Sequence, residues 1–331
     1  MRQLLNPSHD PYFNMALEEY LVTQTDPGSE WFMLWQNKPT VVVGRHQNTG
    51  EEVNESFIVT KGIKVVRRMS GGGAVYHDLG NLNFTFVVNV SANRSLARFA
   101  QPVIKALHKL GVEAQISGRN DLTIAGRKFS GNAQFIGKNR LLHHGTLLFA
   151  TDLDIMQQAL TVNPVKMASK GVKSVRSRVT NIAYHLPDPV SIDVFKKTLS
   201  ETISEYWPNE PARGLTEEEK AIVTQRAVDK YNSWEWNYGQ SPQYDLRHQA
   251  RYPWGQFDIR LELRKGRIAV CKIYGDFFTV KEIETLEKAL QGILYNQKEI
   301  LKLLESLDLS AYIPEMDAQQ WLKLIMGNES S

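Results

Sequence analysis

Three consecutive glycines, Gly71 to Gly73, are the feature of this 331-residue sequence that most restricts its fold. They lie between two apparent strands in the segment RRMSGGGAVYHDLGN, residues 67–81. Glycines cost backbone entropy on folding, but backbone without Cβ atoms can approach a ligand closely and point successive N–H groups at an anion. Arg67 and Arg68 add charge suited to carboxylate or phosphate. The segment predicts an anion-binding loop; the alternative is a glycine-rich hairpin turn beside two solvated arginines.

The familiar phosphate-binding motifs are absent from the sequence. The run closest to a Walker A motif, Gly131 to Lys138, has five residues between its glycines and is followed by Asn139. No G-x-G-x-x-G follows a strand, and neither a G-x-S-x-G elbow nor an H-E-x-x-H helix is present. If phosphate is bound, another architecture binds it.

A second chemical signal is the segment NDLTIAGRKFSGNAQ, residues 120–134. It predicts a hairpin that turns at Ala125-Gly126-Arg127, with Lys128, Ser130 and Asn132 on one strand face and Phe129 and Gly131 on the other. A lysine beside small residues suits an anionic reaction centre, although a surface lysine is the simpler interpretation of Lys128 alone. His143 and His144, on the next predicted strand, are equally compatible with a structural role.

A third segment, residues 166–178, is basic and contains no aromatic side chain. Nucleic-acid patches usually interleave aromatics for stacking, so this composition does not favour a nucleic-acid surface. The segment is interpreted either as a solvated loop or as a loop that closes over a phosphorylated intermediate and excludes water.

The predicted elements indicate an α+β fold with a mixed or antiparallel sheet, because strands arrive in clusters instead of alternating with helices. Asp10 and Pro11 predict a helix start, and the spacing of Leu82, Phe84 and Phe86 predicts a half-buried strand. Two stretches, Thr216 to Glu219 and Thr279 to Glu282, fit the capping-box pattern of a helix start. We expect two domains, residues 1–244 and 245–331, the second a small α+β accessory domain.

Composition limits the class of protein. The chain is 42% hydrophobic and 23% charged, and 39 basic minus 36 acidic residues give a net charge of +3. This excess is too small to argue for nucleic acid, and no apolar run is long enough to span a membrane. A single cysteine, Cys271, excludes an intramolecular disulfide. We expect a soluble cytoplasmic protein, with a monomer as the default.

Taken together and in this order, the motifs resemble those of the lipoate–protein ligases. The carrying segments are RRMSGGGAVYHD, KFSGNA and HGTLL, the last spanning His144 to Leu148. The run GVKSVRSRVTN resembles the adenylate-binding loop of the family, and WEWNYGQSP resembles the end of its catalytic domain. The resemblance covers essentially the whole chain.

The resemblance implies a catalytic domain like those of class II aminoacyl-tRNA synthetases and biotin ligases, with a mixed sheet and flanking helices. It implies that lipoate and MgATP give lipoyl-adenylate, and that the lipoyl group then passes to a lysine of an apo lipoyl domain. The implied acceptors are 2-oxoacid dehydrogenase E2 subunits and the glycine-cleavage H protein; the implied cofactors are ATP and Mg²⁺, with lipoate as substrate.

The resemblance also implies roles for individual residues. Lys128 is the expected catalytic residue. Contacts to ATP or lipoyl-adenylate are expected from Arg68, Gly73, Ala74, Val75, Tyr76 and Lys128, with Asn120 and Asp121 as candidates for adenine and Mg²⁺. Contacts to lipoate are expected from Ser70, Gly71, Gly72, Gly73, Lys128, His144 and Gly145. The expected adenylate loop contains Lys170, Gly171, Ser174, Val175 and Arg176.

The nearest rival is an octanoyl or lipoyl transferase on the same fold, which works through a cysteine thioester without ATP. Cys271 lies outside every motif, in a predicted C-terminal hairpin, where a small buried side chain is the expected role. The sequence therefore favours the ligase.

Overall fold

A computed structural model of the chain describes residues 1–26, 28–90, 95–118, 120–160, 178–207, 210–238 and 245–327. Two compact units make up this part of the chain. Unit 1 contains the described residues of Met1–Val43, Thr49–Met69 and Ala74–Asn237. Unit 2 contains Gly44–Asn48, Ser70–Gly73 and the described residues from Tyr238 onward. Ser70 and the glycine triplet thus belong to unit 2, although Met69 and Ala74 on either side of them belong to unit 1.

The described α-helices are short to medium in length. Unit 1 has α1 (Pro11–Thr23), α2 (Thr49–Glu52), α3 (Glu55–Lys61), α4 (Leu96–Lys109), α5 (Leu153–Ala159), α6 (Ile192–Tyr206), α7 (Glu217–Arg226) and α8 (Trp234–Asn237). Unit 2 has α9 (Ile283–Leu290), α10 (Gln297–Glu305) and α11 (Ala318–Met326). A π-helical turn, Ala227–Tyr231, continues α7, and short 3₁₀ turns span Ile182–His185 and Leu309–Ala311.

The described strands form three sheets. They are β1 (Arg2–Leu4), β2 (Trp31–Trp35), β3 (Thr40–Val43), β4 (Lys64–Arg67), β5 (Val75–His77), β6 (Asn81–Asn89), β7 (Gln115–Ser117), β8 (Asp121–Ile124), β9 (Arg127–Gly137), β10 (Arg140–Leu148), β11 (Glu210–Arg213), β12 (Leu246–Tyr252), β13 (Gly255–Arg264) and β14 (Arg267–Gly275).

The main sheet of unit 1 is mixed, with strand order β11-β1-β2-β6-β10-β9-β8-β7. Strand β1 is parallel to both of its neighbours, β11 and β2. Every other neighbouring pair in this order is antiparallel. In a smaller sheet, β4-β3-β5, strand β4 ends before the glycine triplet and strand β5 begins after it. The α+β prediction with a mixed sheet is therefore confirmed.

Both faces of the main sheet are covered in unit 1. One apolar core packs Phe84 and Phe86 against α4 and α6, and a second packs α1 against the opposite face. Strand β6 is consequently buried on both faces up to Asn89, and the prediction of a half-buried strand is wrong. The polar side chains on the face predicted to be exposed, such as Asn83 and Thr85, can be buried because they form hydrogen bonds with other side chains instead of with water.

Unit 2 has its own core. Its antiparallel sheet β12-β13-β14 packs against α9, α10 and α11 around Phe257, Phe277 and Trp321. No helix in the described ranges is long and apolar enough to cross a membrane.

Local start signals succeeded at two helices and failed at a third. Asp10 accepts the N–H groups of Tyr12 and Phe13 at the start of α1, and Thr216 and Glu219 form the predicted capping box of α7. The capping box predicted at Thr279 is wrong, because α9 begins only at Ile283 and its N-cap residue makes no side-chain cap bond. The Thr279 hydroxyl instead lies 3.2 Å from His46 Nε2, within unit 2.

Candidate active site

A transverse row of side chains crosses five neighbouring strands on one face of the main sheet. Trp35 pairs with Asn83, and Asn83 pairs with Thr146. The N–H of Gly131 donates to Thr146 Oγ1 at 3.2 Å, and Gly131 pairs in turn with Asp121. Because directly paired residues share a face, these five residues form a continuous strip on the sheet, called the polar strip here after the side chains of Asn83, Thr146 and Asp121.

Lys128 extends its amine over this strip. Its Nζ lies 2.7 Å from Asp121 Oδ1, and a Cβ placed on Gly131 would lie 3.0 Å from the same Nζ. A register shift between Leu122 and Thr123 makes Phe129 the extra residue of a β-bulge. The prediction that Lys128 lies opposite Gly131 is therefore wrong. The bulge brings both to one side, and the missing side chain of Gly131 leaves the room that the amine occupies.

The backbone of Lys128 is fixed by the segment that follows residues 161–177 in the chain. The N–H of Thr180 donates to the Lys128 carbonyl at 2.9 Å, and Lys128 forms a parallel bridge with Val179. Arg127 Nη2 donates to the Val179 carbonyl at 2.6 Å. The end of the predicted adenylate loop is thus anchored beside the lysine. The loop residues themselves, Lys170, Gly171, Ser174, Val175 and Arg176, lie outside the described residues.

His144 lies two residues before Thr146 on β10, on the same face of the sheet, and a buried carboxylate holds its ring. Its Nδ1–H donates to Glu18 at 2.9 and 3.0 Å, to the two carboxylate oxygens respectively. Thr85 donates to the same carboxylate at 2.6 Å, and Trp35 Nε1 donates to the Thr85 hydroxyl at 2.9 Å. Helix α1 carries Glu18 onto the sheet, so the ring orientation of His144 is set by three elements.

Arg68 is a buried cation next to this network. Burial lowers the pKa of Arg68 to about 10, while the carboxylate of Glu18 raises it. The guanidinium therefore stays charged at neutral pH, and it donates to the Val42 carbonyl at 3.2 Å. Ala74 and Val75 are partly exposed, whereas Tyr76 is buried, and this burial raises the pKa of its phenol.

Within unit 2 the three glycines have different surroundings. A Cβ on Gly71 would lie 2.2 Å from the carbonyl oxygen of Phe277, so this position needs glycine for close packing. Gly72 has a φ of +92°, which favours glycine. No atom lies within 4 Å of a Cβ placed on Gly73. Ser70 is buried, and its carbonyl accepts from the Arg45 N–H at 2.9 Å. Gly73 therefore borders open space, as expected of a ligand-facing glycine.

Two other predicted site residues, Asn120 and Gly145, have structural roles. Asn120 and Asn132 exchange hydrogen bonds with each other's backbone carbonyl at 3.2 Å, which fixes the strand end before Asp121. A Cβ on Gly145 would lie 2.4 Å from the Phe84 ring and 2.6 Å from Asn132 Oδ1. Gly145 is therefore glycine because the apolar core presses against it from the face opposite His144.

The described residues offer Mg²⁺ single carboxylates and no cluster of protein ligands. The described part of the chain contains no group of three or more His, Cys, Asp or Glu side chains able to hold a metal. Mg²⁺ bound through phosphates needs only one or two carboxylates, and Asp121 on the strip is such a carboxylate.

Several residues of this site were not predicted from the sequence: Glu18, Trp35, His77, Asn83 and Thr146. The available signal was in α1, where Asn14 and Glu18 are polar residues four apart beside an apolar stripe, and both are buried. Two buried polar groups on one helix face imply partners on whatever the helix covers.

Comparison with known proteins defines the class to which this fold and site belong. A family model described as the lipoyl protein ligase A/B catalytic domain matches residues 10–204, and one described as the bacterial lipoate protein ligase C-terminus matches residues 241–325. The chain therefore belongs to the lipoate–protein ligase family, and it is a ligase by class.

Individual relatives resemble the chain over almost its full length. It is 44% identical to lipoate-protein ligase LplJ of Bacillus subtilis, covering 96% of this chain and 97% of that protein. It is 42% identical to lipoate–protein ligase 1 of Staphylococcus aureus, covering 96% and 97%.

Solved structures agree on the fold. The lipoate complex of Plasmodium falciparum LipL1 matches with a TM-score of 0.82 at 23% identity, over 98% of each chain. A lipoate-protein ligase A bound with ATP matches with a TM-score of 0.63 at 27% identity, over 72% of this chain and 98% of that one. The family similarity expected from the sequence motifs is confirmed.

Proposed function

We propose that this protein activates lipoate with MgATP, forming lipoyl-adenylate and pyrophosphate, and then transfers the lipoyl group to a lysine of an apo lipoyl domain. The observation that carries the proposal is the position of the Lys128 amine, above a residue without a side chain and against Asp121 on the polar strip. Named relatives are lipoate ligases, and solved neighbours carry lipoate or ATP.

The chemistry of the first step explains the need for this amine. The lipoate carboxylate attacks the α-phosphorus of ATP, the bond from that phosphorus to the bridging oxygen breaks, and pyrophosphate leaves. Two anions must therefore meet. The Lys128 cation neutralises the approaching pair and the charge that develops on the α-phosphate; it forms no covalent bond. Asp121 lies 2.7 Å from the same amine and is an anionic partner that keeps it charged.

Other residues supply binding and orientation in this proposal. Arg68 contributes a second cation for nucleotide phosphate, and Gly73 to Tyr76 contribute backbone contacts, as the motif predicts. Asp121 would hold Mg²⁺ together with phosphate oxygens, and the ion would neutralise phosphate charge. Glu18 fixes the ring of His144, a predicted lipoate contact. In this proposal residues 1–244 are the catalytic domain and residues 245–331 are the accessory domain.

The proposed acceptors are the lipoyl domains of E2 subunits and the glycine-cleavage H protein. A solved archaeal relative, 30% identical over 74% of this chain and with a TM-score of 0.66, is a bipartite lipoate protein ligase from Thermoplasma acidophilum studied with its E2 lipoyl domain. In the second step the acceptor amine attacks the acyl carbon of the adenylate, and AMP leaves.

Pyrophosphate exchange tests the first step. Wild-type protein with lipoate should exchange labelled pyrophosphate into ATP, and Lys128→Ala should lower that rate by roughly 10²–10³, as expected for loss of one oxyanion-stabilising group. Lys220→Ala, an exposed lysine on α7, is the matched control and should retain wild-type exchange. A Lys128→Ala protein that folds and exchanges at the wild-type rate would contradict the proposed role of the amine.

A further inference from the structure

His77 sits at the end of two converging chains of amide side chains in unit 1. In one chain Asn6 donates to Asn14 at 2.8 Å, Asn14 to Asn37 at 2.8 Å, and Asn37 Nδ2 lies 3.1 Å from His77 Nδ1. In the other, Asn81 donates to Asn83 at 2.9 Å, and Asn83 Nδ2 lies 3.5 Å from the same Nδ1. Both chains are buried where they meet the ring.

The first chain determines the tautomer of His77. Asn14 Nδ2 also donates to the carbonyls of Ser8 and Gln36, both at 3.1 Å, so its amide orientation is fixed. The Asn37 atom that faces it must then be the oxygen, and the Asn37 amine must point at the imidazole. Nδ1 of His77 is therefore an acceptor, and Nε2 carries the hydrogen.

This Nε2–H has no hydrogen-bond partner among the described residues, although His77 is only 3% exposed. Burial, together with the nearby charges of Arg68 and His144, lowers the pKa of His77 to about 3. The ring is thus a neutral donor at every physiological pH. A buried donor left unpaired costs about 1–3 kcal/mol, and such groups in native proteins call for an explanation.

The location of the ring suggests the missing acceptor. His77 contacts Trp35 edge-on at 6.0 Å between ring centroids, and it bonds to Asn83 of the transverse row. Asn83 lies two strands from Gly131, a span of about 10 Å at the usual strand spacing, and the Lys128 amine reaches over Gly131. An acid whose head bound between Asn83 and Gly131 would lie between His77 and the Lys128 amine.

We infer that His77 donates a hydrogen bond from Nε2 to a carboxylate oxygen of the substrate acid, and to the same oxygen once it has become the carbonyl of the adenylate. This inference rests on the proposed lipoate-activating function and adds a second donor, opposite Lys128, at the acyl group. Donation into Nδ1 from two amides polarises the ring and strengthens the Nε2–H bond. A carboxylate is the acceptor that profits most from such a donor.

Three variants test the inference in the pyrophosphate-exchange assay. His77→Phe removes both ring nitrogens, and His77→Gln keeps an N–H donor near the Nε2 position. His143→Gln is the matched control, since His143 is an equally buried histidine of the same unit, but its nitrogens already pair with Gln134 at 3.1 Å and Asn132 at 3.2 Å.

His77→Phe should raise KM for lipoate and for octanoate alike by roughly tenfold to a hundredfold, the value of one hydrogen bond to a charged group, with KM for ATP unchanged. His77→Gln should recover most of this loss, and His143→Gln should leave all three constants unchanged. Unchanged KM values in His77→Phe overturn the inference. A rise confined to ATP would place the donor at the nucleotide, and a rise confined to lipoate would place it at the dithiolane; either result also overturns the inference.

A measurement on wild-type protein covers the case in which His77→Phe does not fold. With ¹⁵N-labelled histidine, the Nε2–H proton resonance of His77 should move downfield on addition of lipoate without ATP. An unmoved resonance with lipoate bound overturns the inference while leaving the ligase proposal intact. Wild-type protein that shows no lipoate-dependent exchange would instead remove the proposed function on which the inference rests.

Discussion

Buried histidines make the stability of unit 1 sensitive to acid. Burial lowers the pKa of His143 to about 3, with the charge of His144 adding to the effect, and its ring stacks on Phe99 at 4.4 Å. The unfolded chain binds a proton at this residue near pH 6.5, whereas the folded chain does so only near pH 3. The unfolded state therefore holds more protons between these values, and stability is lost as the pH falls through this window.

We predict that the free energy of unfolding of the wild-type protein falls between pH 6.5 and pH 3, with His77 and His143 both contributing. His143→Gln should lower the steepness of this fall by about 1.4 kcal/mol per pH unit in the middle of the window. Denaturant unfolding at pH 7, 5.5 and 4.5 measures it. Parallel pH profiles of wild type and variant would contradict the assignment of His143 as a neutral buried group.

Some residues of the candidate site could be predicted from the sequence and others could not. The motif predicts Lys128 as a site residue, because a lysine beside Ser130 and Gly131 can be found in the sequence alone. The predicted hairpin likewise points to Asp121, which forms an ion pair with Lys128. Glu18 and His77 were not, because their significance arises only where separate elements bring buried polar groups together. A buried carboxylate four residues after a buried Asn14 looks like any helix surface until its partners are known.

At the scale of elements, the bulge in β9 is the feature that organises the site. Turn residues predicted the hairpin correctly, and Ala125 and Gly126 have the positive φ values that its tight turn needs. The extra residue at Phe129 could not be predicted, since a bulge depends on cross-strand registry and not on local composition. It moved Lys128 to the side of the sheet on which Gly131 faces the strip.

Gly131→Ala should therefore reduce activity while leaving the fold intact. The new Cβ would lie 3.0 Å from Lys128 Nζ and 3.1 Å from Cε, so the flexible end of the lysine must shift. We expect pyrophosphate exchange to fall about tenfold to a hundredfold, because displacement of a catalytic group by about 1 Å has effects of this size. Thermal unfolding should change little.

Gly214→Ala is the control for this prediction, since no atom lies within 4 Å of a Cβ at that position. It should match wild type in both exchange and unfolding. Equal exchange rates in the two variants would mean that the space above Gly131 does not serve the amine.

Helix starts illustrate the same contrast between local and tertiary effects. The capping box at Thr216 formed as predicted, with Glu219 bonding back to the Thr216 N–H at 2.9 Å. The identical pattern at Thr279 did not form, because its hydroxyl is engaged by His46, a residue 233 positions earlier in the chain. Local capping chemistry decides the outcome only where no tertiary partner competes for the side chain.

At the scale of the whole molecule, the position of the single cysteine distinguishes an ATP-dependent ligase from a transferase that works through a cysteine thioester. Cys271 is fully buried in β14 of unit 2, and burial together with the charge of Glu287 raises the pKa of its thiol, so a thiolate nucleophile is disfavoured. Cys271→Ala should therefore retain both pyrophosphate exchange and lipoyl transfer, apart from a modest loss of stability from the smaller side chain. Loss of transfer in a folded Cys271→Ala protein would point to a thioester.

The division into two units could not be predicted fully from the sequence. The motif residues Ser70 to Gly73 read as part of the catalytic domain, yet they pack with Gly44–Asn48 and Phe277 in unit 2. The sequence pattern predicts a ligand-binding loop, but it could not show that Gly71 is required for close packing against a carbonyl 206 residues later.

Attachment of lipoate to an apo lipoyl domain, measured by mass spectrometry with and without MgATP, tests the central claim most directly. We predict that wild-type protein modifies one lysine of the domain only when ATP is present, with release of AMP and pyrophosphate, and that Lys128→Ala does so far more slowly. Modification from free lipoate at the same rate without ATP would contradict adenylate chemistry, and with it the role assigned here to the lysine above Gly131.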